Sequence, residues 1–203
     1  VDGPRQDPKR PLEYLRAKLM GTLACLFTPS MTGFVGLMKE PPTFESFREA
    51  LEGFRSFSKF DYPKAIEHWN QALSLDPTNK ASLIFSVFAL HNQGKYAESQ
   101  ALVDEVRKSQ NDLTEYESAL LDNIEAWING NLEERHRSAR KLVASDSYWS
   151  YELALDATNN NYPREAVEAF RLIPLEDEAW KAWGSQWSVV TGAYHILGEF
   201  KNE

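Results

Sequence analysis

Four histidines, one cysteine and several acidic pairs are the side chains here with the potential for chemistry, and their spacing argues against it. His68, His91, His136 and His195 stand far apart, with no HxxxH or HExxH spacing to put two imidazoles on one helix face. His136 sits among Glu133, Glu134, Arg135 and Arg137 and reads as part of a solvated helix face. Glu133-Glu134 and Glu176-Asp177-Glu178 are sequence neighbours, and adjacent helical residues diverge. Paired acid–base work is therefore a poor fit, and solvated surface the better one. Cys25 lies in an apolar run with no histidine partner and reads as buried. With one cysteine, an intrachain disulfide and a cysteine-rich metal site are both excluded. No GxSxG, P-loop or GxGxxG occurs. The expectation is a non-enzyme, with no catalytic, cofactor-binding or metal residues.

The aromatic residues carry the stronger signal. Aromatics make up 12% of the 203 residues, with six tryptophans, so most of the chain should fold. Trp180, Trp183 and Trp187 would share one helix face, as packing or as a recognition patch, with Gly184 letting a neighbour approach. The net charge of −8 disfavours nonspecific nucleic-acid binding, which needs clustered Lys and Arg. A lone cysteine fits the cytoplasm slightly better than an extracytoplasmic space. The VDG start and the charged KNE end raise the expectation of a piece of a longer protein.

The stretch Phe60–Pro77 (FDYPKAIEHWNQALSLDP) positions the rest. Asp61 or Tyr62 caps a helix whose first turn accepts Pro63. Ala65, Trp69, Ala72 and Leu73 form one apolar stripe. Pro77 disfavours helical geometry at Asp76 and ends the helix. Small Ala65 and Ala72 beside large Trp69 predict close contact with the preceding helix, Thr43 to about Lys59. A close crossing would also justify Gly53, which carries a helix penalty of ~1 kcal/mol.

From Thr43 onward short breakers separate segments of helical periodicity, and no strand or hairpin signal is present. The breakers repeat. Phe60-Asp61-Tyr62, Gly94-Lys95-Tyr96, Gly130-Asn131-Leu132, Asn161-Tyr162-Pro163 and Gly198-Glu199-Phe200 align. After the first two turns, Ala65 meets Ser99, Trp69 meets Val103, and Ala72 meets Val106. Ala139 and Leu142 fill later slots after the third.

With its period near 34 residues, this pattern resembles the tetratricopeptide repeat (TPR) family. Gly53, Ala65-x3-Trp69, Ala72 and Pro77 match the signature in the first repeat. Trp187, Val190, Thr191 and Tyr194 match the first-helix slots of a last half-repeat. The middle repeats lack the central glycine and the closing proline. The resemblance covers about residues 43–203 and implies an all-α solenoid of about four and a half helix-turn-helix repeats.

It also implies a groove lined by the first helix of each pair. The corresponding slots are Phe54, Phe57, Ile84, Phe88, His91, Leu120, Ile124, Trp127, Tyr148, Tyr151 and Leu155, then Ser188 and His195. The family's terminal-carboxylate clamp of Lys and Asn is missing, since its slots hold Ala50, Phe54, Phe85 and Phe88. The order of segments is further similar to the C-terminal region of certain large bacterial signalling proteins that join a kinase or DNA-binding domain to a TPR-like region. That similarity implies a scaffold or sensor module without kinase chemistry. Its partner would be a protein or peptide. A small ligand in the groove and a self-associating homodimer are the alternatives.

Residues 1–42 form a separate head: a polar linker to Arg10, then a helix with Leu12, Leu15, Leu19, Leu23 and Leu26 on one face, then an apolar loop closed by Pro41-Pro42. Twenty residues between Lys18 and Lys39 are uncharged. Gly21, Gly33, Gly36 and the break at Pro29-Ser30 disfavour membrane insertion, and packing on the array is expected. Leu12–Met38 could itself fill the groove, in competition with an external peptide.

The register makes a direct prediction. Ala65→Arg should overpack the first helix pair and cost at least ~1–3 kcal/mol. Chemical denaturation would check it, and unchanged stability would show the register to be wrong.

Overall fold

The computed structural model describes residues 9–28, 41–109, 113–173, 175–176 and 185–201. Asp177, Glu178, Trp180, Trp183, Gly184, the linker residues 1–8 and residues 29–40 of the head, all subjects of the expectations above, lie outside these.

Among the described residues the chain is all α. The helices are α1 (Lys9–Leu26), α2 (Phe44–Phe57), α3 (Tyr62–Leu75), α4 (Lys80–Asn92), α5 (Tyr96–Ser109), α6 (Glu115–Ile128), α7 (Leu132–Ser145), α8 (Ser150–Asn159), α9 (Pro163–Phe170) and α10 (Ser185–Leu197). A 3-10 turn, Ser147–Trp149, leads into α8. Successive helices from α1 to α10 pack against one another, and α2 also meets α4, α4 meets α6, and α8 meets α10. This is an α-α solenoid of TPR type, built from the pairs α2/α3, α4/α5, α6/α7 and α8/α9, with α10 opening a fifth.

The turn inside each pair is one device used five times. Phe60, Gly94, Gly130, Asn161 and Gly198 all have left-handed backbones, with φ between 63° and 75°. The following residue donates its N–H to the carbonyl five residues back: Asp61 to Ser56 (3.0 Å), Lys95 to Leu90 (3.0 Å), Asn131 to Ala126 (2.8 Å), Tyr162 to Ala157 (2.7 Å) and Glu199 to Tyr194 (3.0 Å). This is the Schellman bond, which satisfies a carbonyl left orphaned at the helix end. Side-chain caps start five of the ten helices. Thr43, Asp61, Asn79 and Asn131 each accept the N–H three residues on. Thr114 and Glu117 form a reciprocal capping box.

The slots aligned by sequence are buried together. Ala65, Trp69, Ala72, Ser99, Val103, Ala139, Leu142 and Ala166 have no exposed surface. Gly53 explains how Trp69 fits: a Cβ at position 53 would fall 2.3 Å from its Nε1. That nitrogen donates to the Ala50 carbonyl at 3.2 Å.

Asp76 is more than a helix stop. Its buried carboxylate accepts from Thr43 N (2.8 Å), Lys18 Nζ (2.9 Å), Thr78 N (3.1 Å) and Thr78 Oγ1 (2.6 Å), joining α1, α2 and the α3–α4 turn. Burial alone would raise its pKa, but these donors outweigh it and hold the carboxyl below its usual range.

The head helix touches the array at α2 and at the α3–α4 turn. α1 meets the array through Lys18, Gly21 and Cys25, all buried. A Cβ on Gly21 would run into the Pro42 carbonyl at 1.9 Å. The leucine face points the opposite way, because the Lys18 contact to Asp76 and the close approach of Gly21 fix the rotation of the helix.

Phe60 tests the turn device. A non-glycine residue costs ~1–2 kcal/mol in this conformation, and Phe60 is 58% exposed. Phe60→Gly should therefore stabilise by ~0.5–1 kcal/mol after glycine's backbone entropy is counted. The check is a thermal melt, with a rise of ~1–4 °C expected.

Candidate functional site

The first helices of the pairs carry a chain of touching rings. Phe57 and Phe54 meet Trp69 at centroid distances of 5.8 and 5.3 Å, and Phe54 meets Phe85 edge-on at 4.8 Å. Phe85 continues to Phe88 (5.6 Å) and Trp149 (6.4 Å). Phe88 reaches Trp127 (5.8 Å), whose other neighbour is the His91 imidazole at 3.6 Å. Tyr148 closes on Trp149 at 5.6 Å, and the Trp149 indole N–H donates to the Tyr116 hydroxyl. Offset and edge-on pairs of this kind add ~0.5–1.5 kcal/mol each beyond area burial.

Of the thirteen groove slots named from the sequence, Ser188 is exposed on α10 and the other twelve fall into three groups. Ile84, Leu120 and Ile124 are enclosed between helices and present no usable surface, with Phe88 and Tyr151 almost as buried. Their slots face the neighbouring helix because α4 and α6 also pack on each other. Phe54, Phe57, His91, Trp127, Tyr148 and Leu155 are half-buried and keep an accessible edge. His195 is exposed at the far end, edge-on to Phe200 at 5.4 Å. Within this set His91, Phe88 and Trp127 come into direct contact.

His136 requires a correction. It is buried rather than solvated, stacked on Tyr162 at 4.9 Å with Nε2 3.0 Å from Glu165. The α9 helix covers this face of α7, which the charges flanking His136 do not reveal.

The third pair departs most from the repeat pattern. Its turn places Arg135 in the slot that holds Ala65, Ser99 and Ala166 elsewhere, and Asn123 in the slot of Gly53. Too long for the gap between α6 and α7, Arg135 reaches α8 and forms an ion pair with Asp156 at 3.0 Å, both side chains buried. Its guanidinium also lies over the Trp127 ring, 4.9 Å from the centroid. Asn123 Nδ2 donates to the Arg135 carbonyl (2.9 Å) and to Ser138 Oγ (3.2 Å). Glu152 stands one turn before Asp156 on α8. Burial pushes its carboxyl up to about 8, with Arg135 too weak to restore it. Burial likewise raises Asp156, to about 6, against the pull of Arg135. His91 shifts the other way, lowered by burial and by the Arg135 charge. At neutral pH these shifts leave Glu152 mostly protonated and Asp156 mostly ionised.

Arg135, Asn123, Glu152, Asp156, Phe85 and Trp149 are absent from the sequence-derived set. Arg135 was recoverable in principle, as a charged residue in a small-residue slot of the repeat. Glu152 and Asp156 carry no such mark, since an acidic helix residue normally reads as surface.

Among the described residues no cluster of three or more His, Cys, Asp or Glu could hold a metal ion. No described helix is long and apolar enough to cross a membrane. The arrangement provides flat aromatic edges beside a charge-neutralised polar cluster, which suits recognition of a surface or side chain.

Comparison with family models matches residues 56–122 to the tetratricopeptide repeat. This segment is a tetratricopeptide repeat region. The match runs from the end of α2 through the first part of α6, and so contains Trp69, Phe85, Phe88 and His91 of the aromatic chain. Comparison with curated proteins returned no match. TPR regions in general mediate protein–protein interaction or scaffolding, and the fold is typically non-catalytic.

Glu152 gives a pH test. In the unfolded chain its carboxyl titrates near 4.5, and in the folded chain near 8. Between those values the folded state holds the extra proton, so stability from this group is full below about 4.5 and is lost as pH rises through 8. Glu152→Gln removes the titration. Its stability advantage over the wild type should grow from pH 5 to pH 8.5 in urea unfolding. A constant difference would show that Glu152 titrates normally.

Proposed function

We propose that the repeat array is a non-catalytic scaffold that binds a protein or peptide through the half-buried edges of Phe54, Phe57, His91, Trp127, Tyr148 and Leu155. The observation that carries this reading is their grouping along the first helices of a TPR-type solenoid, with Tyr148 on the 3-10 turn that leads into one of them. Aromatic edges held by their neighbours lose little side-chain entropy on binding, which favours them as anchors. The further reading, a sensor or interaction module of a larger bacterial signalling or regulatory protein, is supported by the likeness in segment order described above.

A second reading is favoured by a specific observation. Glu152 Oε2 and His91 Nδ1 are buried without a hydrogen-bond partner among the described residues. Such atoms suit a small polar ligand seated beside Trp127 and Tyr151, which would make the module a ligand sensor.

The two readings separate on one experiment. A displayed random-peptide library is selected against the full chain, and binders are retested on Trp127→Ala. Peptide scaffolding predicts enriched binders whose affinity falls at least ~10-fold in the variant, a larger loss than its fall in stability. Equal loss of binding and stability would place Trp127 in the core alone, and no enrichment would overturn the peptide reading.

A further inference from the structure

Among the described residues the leucine face of α1 groups seven exposed large apolar side chains on one helix. Leu12, Leu15, Leu19, Met20, Leu23, Leu26 and Phe27 are between 40% and 81% exposed. At 100° per residue they occupy one side of the helix, which also carries exposed Arg16, opposite the buried Lys18, Gly21 and Cys25. At ~100 Å² each, they present ~700 Å² of apolar area, near the ~800 Å² that each partner buries in a stable interface. A lone monomer rarely exposes a contiguous patch of more than a few hundred Å².

The spacing of the leucines specifies the occupant. Leu12, Leu15, Leu23 and Leu26 lie symmetrically about Leu19, at four and at seven residues on either side. Two copies of α1 packed antiparallel about a two-fold axis through Leu19 would therefore set Leu12 against Leu26, Leu15 against Leu23, and Leu19 against itself. That is the self-complementarity an isologous interface requires. Charge agrees with this direction. Lys9 and Arg10 open the helix, with no acidic residue in its first turn and no basic residue in its last. This is unfavourable for the dipole of an isolated helix. In an antiparallel pair the basic start of each copy lies beside the carbonyl end of the other, where positive charge is stabilising.

We infer that α1 is a dimerisation helix, and that a second copy of this chain covers its leucine face by antiparallel two-fold packing centred on Leu19. The dimer stands independently of the aromatic site on α2–α8. It would present two repeat arrays to a partner at once and raise avidity for a repeated ligand.

The test uses the full chain. Sedimentation equilibrium should show a monomer–dimer equilibrium in the micromolar range. Leu19→Glu places two carboxylates together on the axis and should raise the dissociation constant at least ~100-fold, with the thermal midpoint of the monomer unchanged. Leu19→Cys should cross-link to itself on oxidation. Leu12→Cys and Leu26→Cys should cross-link to each other when mixed but not singly, with the wild type as control for buried Cys25. Three results would overturn the inference. The first is a wild type that stays monomeric throughout. The second is self-cross-linking of Leu12→Cys, which requires a parallel pair. The third is a Leu19→Glu monomer of lowered thermal midpoint, which would mean that the chain's own residues cover the face. If the monomeric wild type instead co-sediments with phosphatidylserine vesicles and Leu19→Glu does not, the face serves a membrane surface and the dimer is wrong.

Discussion

Trp69 lies with no exposed surface between α2 and α3, its ring against the bare Cα of Gly53 and its N–H on the Ala50 carbonyl. The two helices can approach this closely because three positions, 53, 65 and 72, carry almost no side chain. Once that pair is set, Phe54, Phe57 and Phe85 have a fixed surface to close on. The aromatic chain then extends to Phe88, Trp127 and Trp149, and so reaches the third and fourth pairs. A helix pair buries too little to be stable alone, so the array depends on passing this core from one pair to the next.

Polar links run beside the aromatic ones and cross the same boundaries. Lys18 and Thr43 meet on Asp76 at the entry to the array. Lys80 on α4 pairs with buried Glu117 on α6 at 2.9 Å, and Arg107 on α5 bridges Asp122 and Glu125. Arg140 and His136 both hold Glu165 on α9. A buried ion pair contributes little net stability against an apolar replacement, but losing one partner is costly, so such pairs fix register more than they add energy. The Arg135–Asp156 pair fits this description with one difference. It lies beside Glu152 of α8, whose carboxyl burial raises, so the most irregular pair of the array adjoins a strongly shifted acid of the next.

Much of the fold was legible because a helical repeat is a local object. The turn needs a residue that tolerates a left-handed backbone, the next helix needs a cap, and the contact face needs small residues at fixed steps. Gly94, Gly130, Asn161 and Gly198 announce four of the turns, and Ala65, Ser99 and Ala166 announce the contacts. The candidate site was less legible. Exposure of a groove residue depends on how closely successive pairs stack, and no single pair specifies that. Ile84 and Leu120 have the periodicity of surface-lining positions and are nevertheless enclosed, whereas His91 and Trp127 keep an edge.

By itself the sequence determined the all-α class, the repeat register, the positions of the turns and the tight seat for Trp69, because steric and hydrogen-bonding rules acting within about forty residues decide them. Tertiary structure alone decided which way α1 faces, that Arg135 meets Asp156 across α7 and α8, that burial raises the Glu152 carboxyl, and that His136 is covered by α9. Each of these rests on a contact between helices distant in the chain, where the rotation of one helix against another sets whether a leucine, an arginine or a histidine meets solvent or protein. A sequence period specifies the face a helix can offer, and the neighbouring helices settle which face is used.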